Sequence, residues 1–293
     1  MKLGETVEKI RYEKNIPVKE LIGDRMSKST YSRFINNKTF LGTDSFLFLI
    51  DQLHMTFAMF LQLYTDFFEL KYDYTILNHC LELKQVYRLS NLLKKWQLKM
   101  GRLSKAEELF LKTVEITLMD LQDETIEGSQ IEELNQTYKQ FSYWTDYNLK
   151  SLKATMHLLD TEKVIQYTKQ IITAIDDIEG NLVHEEVFYV LGRVFTRCLS
   201  EGLTSEARTV YESLRRMYIS QYDLGKQGYS IFYEGLANII FLGIHENVRM
   251  INDAIEFFKL LDMDYRVKDF SSIYKELSQH YELPELMQKS EVV

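Results

Sequence analysis

Apolar residues recur every three or four positions along most of the chain, and this spacing predicts helices rather than strands. The first 66 residues contain five such patterns in succession, each as long as a short helix. Ser27 and Thr56 precede the third and fifth patterns, and Thr43 or Asp44 precedes the fourth, as helix N-caps do. Pro17 stands in the first turn of the second pattern, where a helix tolerates proline.

Five short helices in residues 1–66 match the size of a phage-repressor-type DNA-binding domain. The second and third helices would form a helix-turn-helix, with the turn at residues 23–26. The first residues of the third helix would then enter the major groove, where Lys and Arg donate to guanine and to phosphates. The residues expected at the groove are Lys28, Ser29, Thr30, Ser32 and Arg33, and the candidate phosphate contacts beside it are Arg11 and Lys38.

Residues 67–293 show one amphipathic helical segment after another, beginning with a long helix that is expected to end at Met100-Gly101. A pattern of Gly, polar residues and Ala-x-x-x-aromatic occurs at 101–110 and 202–211, with a shorter copy at 254–258. The alanine would let two helices approach, and the aromatic ring would fill the groove beside it. The sequence thus predicts an all-α chain, in which the N-terminal five-helix lambda-repressor-like domain precedes a right-handed superhelix of tetratricopeptide-like helix pairs. The alternative is an irregular helical bundle with coincidental alanines.

A superhelix of helix pairs has a concave face, and such faces commonly hold extended peptides. The first helix of each pair would line it, at residues 143–158, 184–200 and 227–243. Asn pairs with both polar groups of a peptide unit, Tyr offers area with a polar tip, and Arg binds carboxylates. The candidate peptide-binding residues are Tyr143, Tyr147, Asn148, Tyr189, Arg193, Tyr229, Tyr233 and Asn238.

The formal net charge of −8 does not exclude DNA binding, because the charge is unevenly distributed. Residues 1–66 carry nine Lys and Arg against eight Asp and Glu, whereas the remainder is strongly acidic. Cys80 and Cys198 are far apart, so we expect two buried thiols in a reducing compartment. The sequence shows neither a signal peptide nor a long apolar run, which predicts a cytoplasmic protein without a membrane partner.

The sequence lacks the motifs of common catalytic sites. His184-Glu-Glu-Val-Phe188 resembles a zinc-protease helix, but Phe188 stands where the second histidine ligand is required. Neither a glycine-rich phosphate loop nor a paired-cysteine zinc spacing occurs. We therefore expect no enzyme, no catalytic residues, no metal and no cofactor.

The segment from Met26 to Phe34, which reads MSKSTYSRF, resembles the recognition helix of Cro/cI-like regulators. It is more similar still to the Rgg-type regulators of Gram-positive bacteria, as is Leu3-Gly4 followed by Arg11. The resemblance is specific in residues 1–40 and architectural after residue 70. It implies a homodimer on a two-fold operator in double-stranded DNA, with a short secreted and re-imported peptide as ligand.

The resemblance assigns roles residue by residue. It implies base reading by Lys28, Ser29 and Arg33 and DNA-backbone contact by Arg11, Thr30 and Lys38. Ser32 is a further candidate backbone contact, from its place on the same helix. The family usually has Glu where this chain has Ile35, and Gly where it has Asn37. Asn still tolerates the left-handed backbone that such a turn needs.

The predicted function is a sequence-specific DNA-binding transcription regulator that a short peptide controls from the concave face of the repeats. One alternative is a helical-repeat protein-interaction module whose helix-turn-helix mediates association with a partner. Another is a DNA-binding repressor without any ligand. DNA binding that neutralises several phosphates weakens steeply with salt, which separates it from a purely protein interaction.

Overall fold

The computed structural model describes residues 2–64, 69–176, 185–217 and 219–286. All regular secondary structure in these ranges is helical, which confirms the predicted all-α class. The chain divides into an N-terminal unit of Met1–Thr75 and a C-terminal unit of Ile76–Val293. This division falls inside a helix, whereas the sequence predicts a boundary after residue 66. Within the described ranges, no helix is both long and apolar enough to cross a membrane.

The N-terminal unit contains the five helices that the sequence predicts. Ser27 accepts a hydrogen bond from the Thr30 N–H (3.1 Å), and Thr56 accepts one from the Met59 N–H (3.2 Å), so both act as N-caps. The fourth helix instead begins after Gly42, whose position has no capping side chain, so the expected cap at Thr43 or Asp44 is wrong. The helices are α1 (Leu3–Glu13), α2 (Val18–Ile22), α3 (Lys28–Ile35), α4 (Thr43–Gln52) and α5 (Phe57–Leu63).

Helices α6 to α16 account for most of the remaining chain, and the first of them begins in the N-terminal unit. They are α6 (Glu69–Glu82), α7 (Val86–Gln97), α8 (Lys105–Leu121), α9 (Gly128–Lys139), α10 (Asp146–Thr155), α11 (Thr161–Asp176), α12 (Glu185–Ser200), α13 (Thr204–Arg216), α14 (Leu224–Leu242), α15 (Val248–Leu260) and α16 (Asp264–Leu277).

The long helix expected to end at Met100-Gly101 is two helices, α6 and α7. The chain turns at Lys84, which has a left-handed φ of 50°, and the Gln85 N–H closes the turn on the Cys80 carbonyl (2.8 Å). Neither glycine nor proline stands at this turn, so the residue types that usually signal a helix end are absent from it.

Neighbouring helices of the C-terminal unit pack as pairs, with extensive contact between α12 and α13 and between α14 and α15. Ala207 and Ala254 are fully buried in these pairs, in agreement with the role predicted for the repeated alanine. Ala106 is exposed, so close helix approach is not the reason for an alanine in the first copy of the pattern. The handedness of a superhelix stays a prediction.

Candidate functional site

Helix α3 has a buried face and an exposed polar face. Tyr31 and Phe34 are each 2% exposed and anchor the helix in the core of the N-terminal unit. The opposite face is polar, and its positions are those that sequence analysis assigns to DNA. The exposed residues are Lys28, Ser29, Ser32 and Arg33 on α3 and Lys38 just beyond it, whereas Thr30 is half-buried and bonded to the N-cap Ser27.

Helix α1 fixes the position of α3. Gly4 lies so close to α3 that a Cβ atom added there would be 2.2 Å from the Phe34 carbonyl oxygen. The Tyr31 hydroxyl donates to Glu8 Oε2 (2.6 Å), and Asn37 Nδ2 donates to Glu5 Oε1 (2.8 Å). The exposed face of α3 is thus held by backbone contact and by two hydrogen bonds.

The end of α3 is a left-handed turn. Asn37 has a φ of 57°, and the Lys38 N–H donates to the Arg33 carbonyl (2.8 Å). The Asn side chain tolerates this conformation, which most residues other than Gly avoid. This agrees with the expectation that Asn37 replaces the family's usual glycine.

Arg11 has a structural role within the N-terminal unit. Its guanidinium donates to both carboxylate oxygens of Glu8 (2.8 and 2.6 Å) and to the Ile16 carbonyl (2.7 Å). The Arg11 side chain is only 15% exposed. The hydrogen bond from Arg11, together with the one from Tyr31, lowers the pKa of Glu8 against the opposing effect of burial. Contact between Arg11 and a phosphate would require this arrangement to open.

The C-terminal unit contains a cavity of about 750 Å³. Residues of α6, α8, α10, α12, α14 and α16 line it. This size is within the range of small-ligand sites. Of the eight predicted peptide-binding residues, the cavity brings together Tyr189, Arg193, Tyr229 and Tyr233.

The other predicted peptide-binding residues lie outside the cavity lining. Tyr143 precedes α10 and is 51% exposed, and Tyr147 is half-buried in its first turn. Asn148 donates its N–H to the N-cap Thr145 (3.3 Å). Asn238 is half-buried on α14. A place on the first helix of a predicted pair therefore does not bring these residues beside Tyr189.

Three tyrosine rings form one wall of the cavity. The ring centroids of Tyr189 and Tyr229 are 5.6 Å apart, and those of Tyr229 and Tyr233 are 5.8 Å apart. Tyr233 packs on the backbone of Gly192, where an added Cβ atom would be 2.3 Å from the Tyr233 hydroxyl oxygen. The absence of a side chain at Gly192 therefore provides the space for a cavity residue.

Two lysines and a glutamate stand next to the cavity. Lys153 donates to Glu186 Oε2 (2.5 Å), and Lys150 lies 3.8 Å from Glu186 Oε1, so two cations share one carboxylate. Burial is the main cause that lowers the pKa of Lys153, against the opposing effect of Glu186. The Lys153 ammonium also lies 5.4 Å from the centre of the Tyr189 ring.

Arg197 connects α12 to the end of α10. Its guanidinium donates to the Met156 carbonyl (2.5 Å) and the Leu159 carbonyl (2.7 Å), and Nε pairs with Glu201 (3.0 Å). Arg197 is a cavity residue that the predictions above do not include, although it follows Arg193 by one helical turn and so shares its face.

Other cavity residues give no sequence signal. Arg266 lies over the rings of Tyr229 and Tyr265, at 4.8 and 4.7 Å from their centres, and pairs with Glu82 (3.1 Å). Glu82 and Arg266 are separated by 184 residues, so no local pattern relates them. Within the described ranges, no group of three or more acidic, His or Cys side chains forms a metal site.

An exposed third helix on a five-helix unit, followed by paired helices around a cavity, defines the architecture of a helix-turn-helix regulator. Residues 89–272 match the family model of the C-terminal domain of the HTH-type transcriptional regulator Rgg, and the chain belongs to this family. The predicted Rgg-type membership is confirmed. These are transcription regulators rather than enzymes, as the sequence predicts.

Solved structures show the same fold at low sequence identity. The SHP pheromone receptor Rgg2 of Streptococcus dysgalactiae has a TM-score of 0.73 at 16% identity, covering 94% of this chain and 100% of its own. PrgX has a TM-score of 0.69 at 14% identity, covering 97% and 96%. A bacterial peptide pheromone/receptor complex has a TM-score of 0.65 at 11% identity, covering 94% and 98%. Among curated proteins, none is significantly similar in sequence.

Proposed function

We propose that this chain is a cytoplasmic, sequence-specific DNA-binding regulator that reads an operator with α3 and binds a peptide in the C-terminal cavity. The observation that carries the DNA-binding part is the exposed polar face of α3, which α1 holds in place. Lys28, Ser29 and Arg33 read bases, while Thr30, Ser32 and Lys38 contact the DNA backbone. Arg11 supports this face through Glu8 rather than by direct contact.

Homodimerisation through residues 67–293 would present two copies of α3 to half-sites about 34 Å apart. The operator is then a two-fold sequence in double-stranded DNA. A peptide acts as a switch only if it binds the active and inactive arrangements with different affinity.

The peptide ligand is proposed from the cavity and from the similar structures. The cavity combines apolar rings with polar groups, as ligand sites do. Two of the similar proteins are described as a pheromone receptor and a peptide pheromone/receptor complex. Tyr189, Arg193, Tyr229 and Tyr233 are the four predicted residues positioned to touch a peptide here.

The test is capture of sheared genomic DNA, from the organism that encodes the chain, on the purified full-length protein. We expect a few fragments to be strongly enriched, each with a two-fold repeat. Arg33→Ala and Lys28→Ala should abolish this enrichment. Lys9→Ala is the matched control, because it removes one exposed positive charge from α1 of the same unit.

If no DNA fragment is enriched, even after peptides from conditioned medium are added, sequence-specific binding is contradicted. This result would favour a protein-interaction module. Enrichment that never responds to added peptides would instead support a regulator without a ligand.

A further inference from the structure

The charges around the cavity are mostly compensated within the protein, and Arg193 is the exception among the cations. Arg197 pairs with Glu201, and Lys153 pairs with Glu186. Arg193 is exposed, and its guanidinium donates to the Lys153 carbonyl (3.0 Å). No carboxylate of the described part of the chain lies within ion-pair distance of it. Its remaining N–H groups are available to a ligand that accepts hydrogen bonds.

Arg266 is the second guanidinium at this site, and it is held in place by stacking. Its guanidinium carbon lies 4.8 Å from the centre of the Tyr229 ring and 4.7 Å from that of Tyr265, and one ion pair in the described part of the chain joins it to Glu82 (3.1 Å). The Arg266 side chain is 20% exposed, and it lines the same cavity as Arg193. A planar guanidinium held in this way is suited to bind a carboxylate through two parallel hydrogen bonds.

The Tyr233 hydroxyl is a third donor. Tyr233 is 5% exposed and lines the cavity, and its hydroxyl has no hydrogen-bond partner in the described part of the chain. Burial raises its pKa, so the hydroxyl stays protonated and able to donate. This hydroxyl is therefore available to donate to an acceptor on a ligand.

We infer that the cavity recognises its ligand through a carboxylate that binds Arg193, Arg266 and Tyr233, in competition with Glu82. This inference rests on the proposed function, because it specifies the chemistry of the peptide. The carboxylate is either the peptide's C-terminus or an acidic side chain.

The competition has a consequence for regulation, because Glu82 is the last residue of α6. Helix α6 begins at Glu69, inside the N-terminal unit, and so connects the two units along the chain. A ligand that takes Arg266 from Glu82 releases the end of this connecting helix. The ligand thereby acts on the segment that leads to the DNA-binding unit.

The experiment uses immobilised full-length protein and three pools of random peptides of one length. The first pool has free C-termini and contains no Asp or Glu. The second is the same pool with amidated C-termini, and the third is amidated but carries a single Asp. Retained peptides are quantified by mass spectrometry for the wild type, Arg193→Gln, Glu82→Gln and Glu276→Gln.

We expect at least one of the two carboxylate pools to be retained about tenfold or more above the amidated pool, as charge-assisted hydrogen bonds would give. Retention of the first pool alone would identify the C-terminus as the source, and retention of the third alone would identify a side chain. Arg193→Gln should remove this preference. Glu82→Gln should raise retention severalfold, because it removes the competitor of the ligand. Glu276→Gln removes a cavity acid that has no ion pair with Arg266, and should raise retention less.

Equal retention of all pools would overturn the carboxylate inference while leaving peptide binding intact. Retention of none of the pools would contradict the proposed peptide receptor itself. Unchanged or reduced retention by Glu82→Gln would overturn the competition, since a purely structural ion pair predicts no gain.

Discussion

Replacement of Arg197 by Met tests how the C-terminal unit holds the cavity wall. Met has a similar length but no hydrogen-bond donor, so the variant removes the two hydrogen bonds from Arg197 to the Met156 and Leu159 carbonyls. Met156 and Leu159 are 3% and 2% exposed, so water has little access to this end of α10. The free energy of unfolding of the C-terminal unit should fall.

The size of the loss follows from what remains bonded in the variant. The Met156 carbonyl also accepts the Leu159 N–H (3.2 Å), so it keeps one partner, whereas the Leu159 carbonyl loses a charged donor. One full loss and one partial loss amount to about 2–3 kcal/mol. For a unit of this size, that corresponds to a fall in Tm of about 4–12 °C.

Tryptophan fluorescence is the appropriate assay, because both tryptophans, Trp96 and Trp144, lie in the C-terminal unit. Urea titrations would compare the wild type, Arg197→Met, Arg197→Lys and the exposed control Arg215→Met. Lys keeps the charge but not the two-pronged geometry, so it should lose about half as much. If Arg197→Met unfolds at the same urea concentration as Arg215→Met, the hydrogen bonds of Arg197 do not stabilise the C-terminal unit.

Three further predictions concern other contacts. Gly4→Ala should destabilise the N-terminal unit and weaken DNA binding, because the new Cβ atom would lie 2.2 Å from the Phe34 carbonyl oxygen; thermal melts and DNA titrations would show this. The hydrogen bond from Arg11 is the main cause that lowers the pKa of Glu8 below 4.5. The ionised Glu8 carboxylate therefore stabilises the folded unit above pH 4.5, and this stabilisation is lost as the pH falls through the lowered pKa. Glu8→Gln should therefore make the N-terminal unit less stable at neutral pH and its stability less dependent on acid, as hydrogen exchange across the pH range would measure. Tyr138→Phe removes a buried hydroxyl that bonds Ser151 (2.9 Å) and Thr155 (2.8 Å), and should cost about 1–2 kcal/mol in urea unfolding of the C-terminal unit.

The helices of the N-terminal unit could be predicted from sequence because their signals are local. Ser27 and Thr56 bond the backbone three residues ahead, and apolar spacing identifies the buried face of each helix. The turn at Asn37 also has a local signal, because Asn tolerates the left-handed backbone that most other side chains avoid. At Gly42 and at the Lys84 turn the sequence carries no such signal, so the predicted cap of the fourth helix and the predicted long helix are wrong.

The cavity could be predicted only in part. Helical spacing correctly grouped Tyr189 with Arg193, which are one turn apart on α12, and the turn after them adds Arg197. Arg266 and Glu82 are 184 residues apart in sequence, and only tertiary packing brings them together. Tertiary packing also decides that Asn238, a candidate because Asn can pair with both polar groups of a peptide unit, lies outside the cavity lining.

Direct base reading by Arg33 and Lys28 is the central claim, and a double-mutant cycle with DNA tests it. Each guanine of a captured operator is replaced in turn by 7-deazaguanine, which lacks the N7 acceptor, and affinity is measured for the wild type, Arg33→Ala and Lys28→Ala. We expect a replacement at one position in each half-site to weaken wild-type binding about tenfold and to leave the binding of one of these variants unchanged. If every replacement affects the wild type and both variants equally, α3 does not read bases through these side chains.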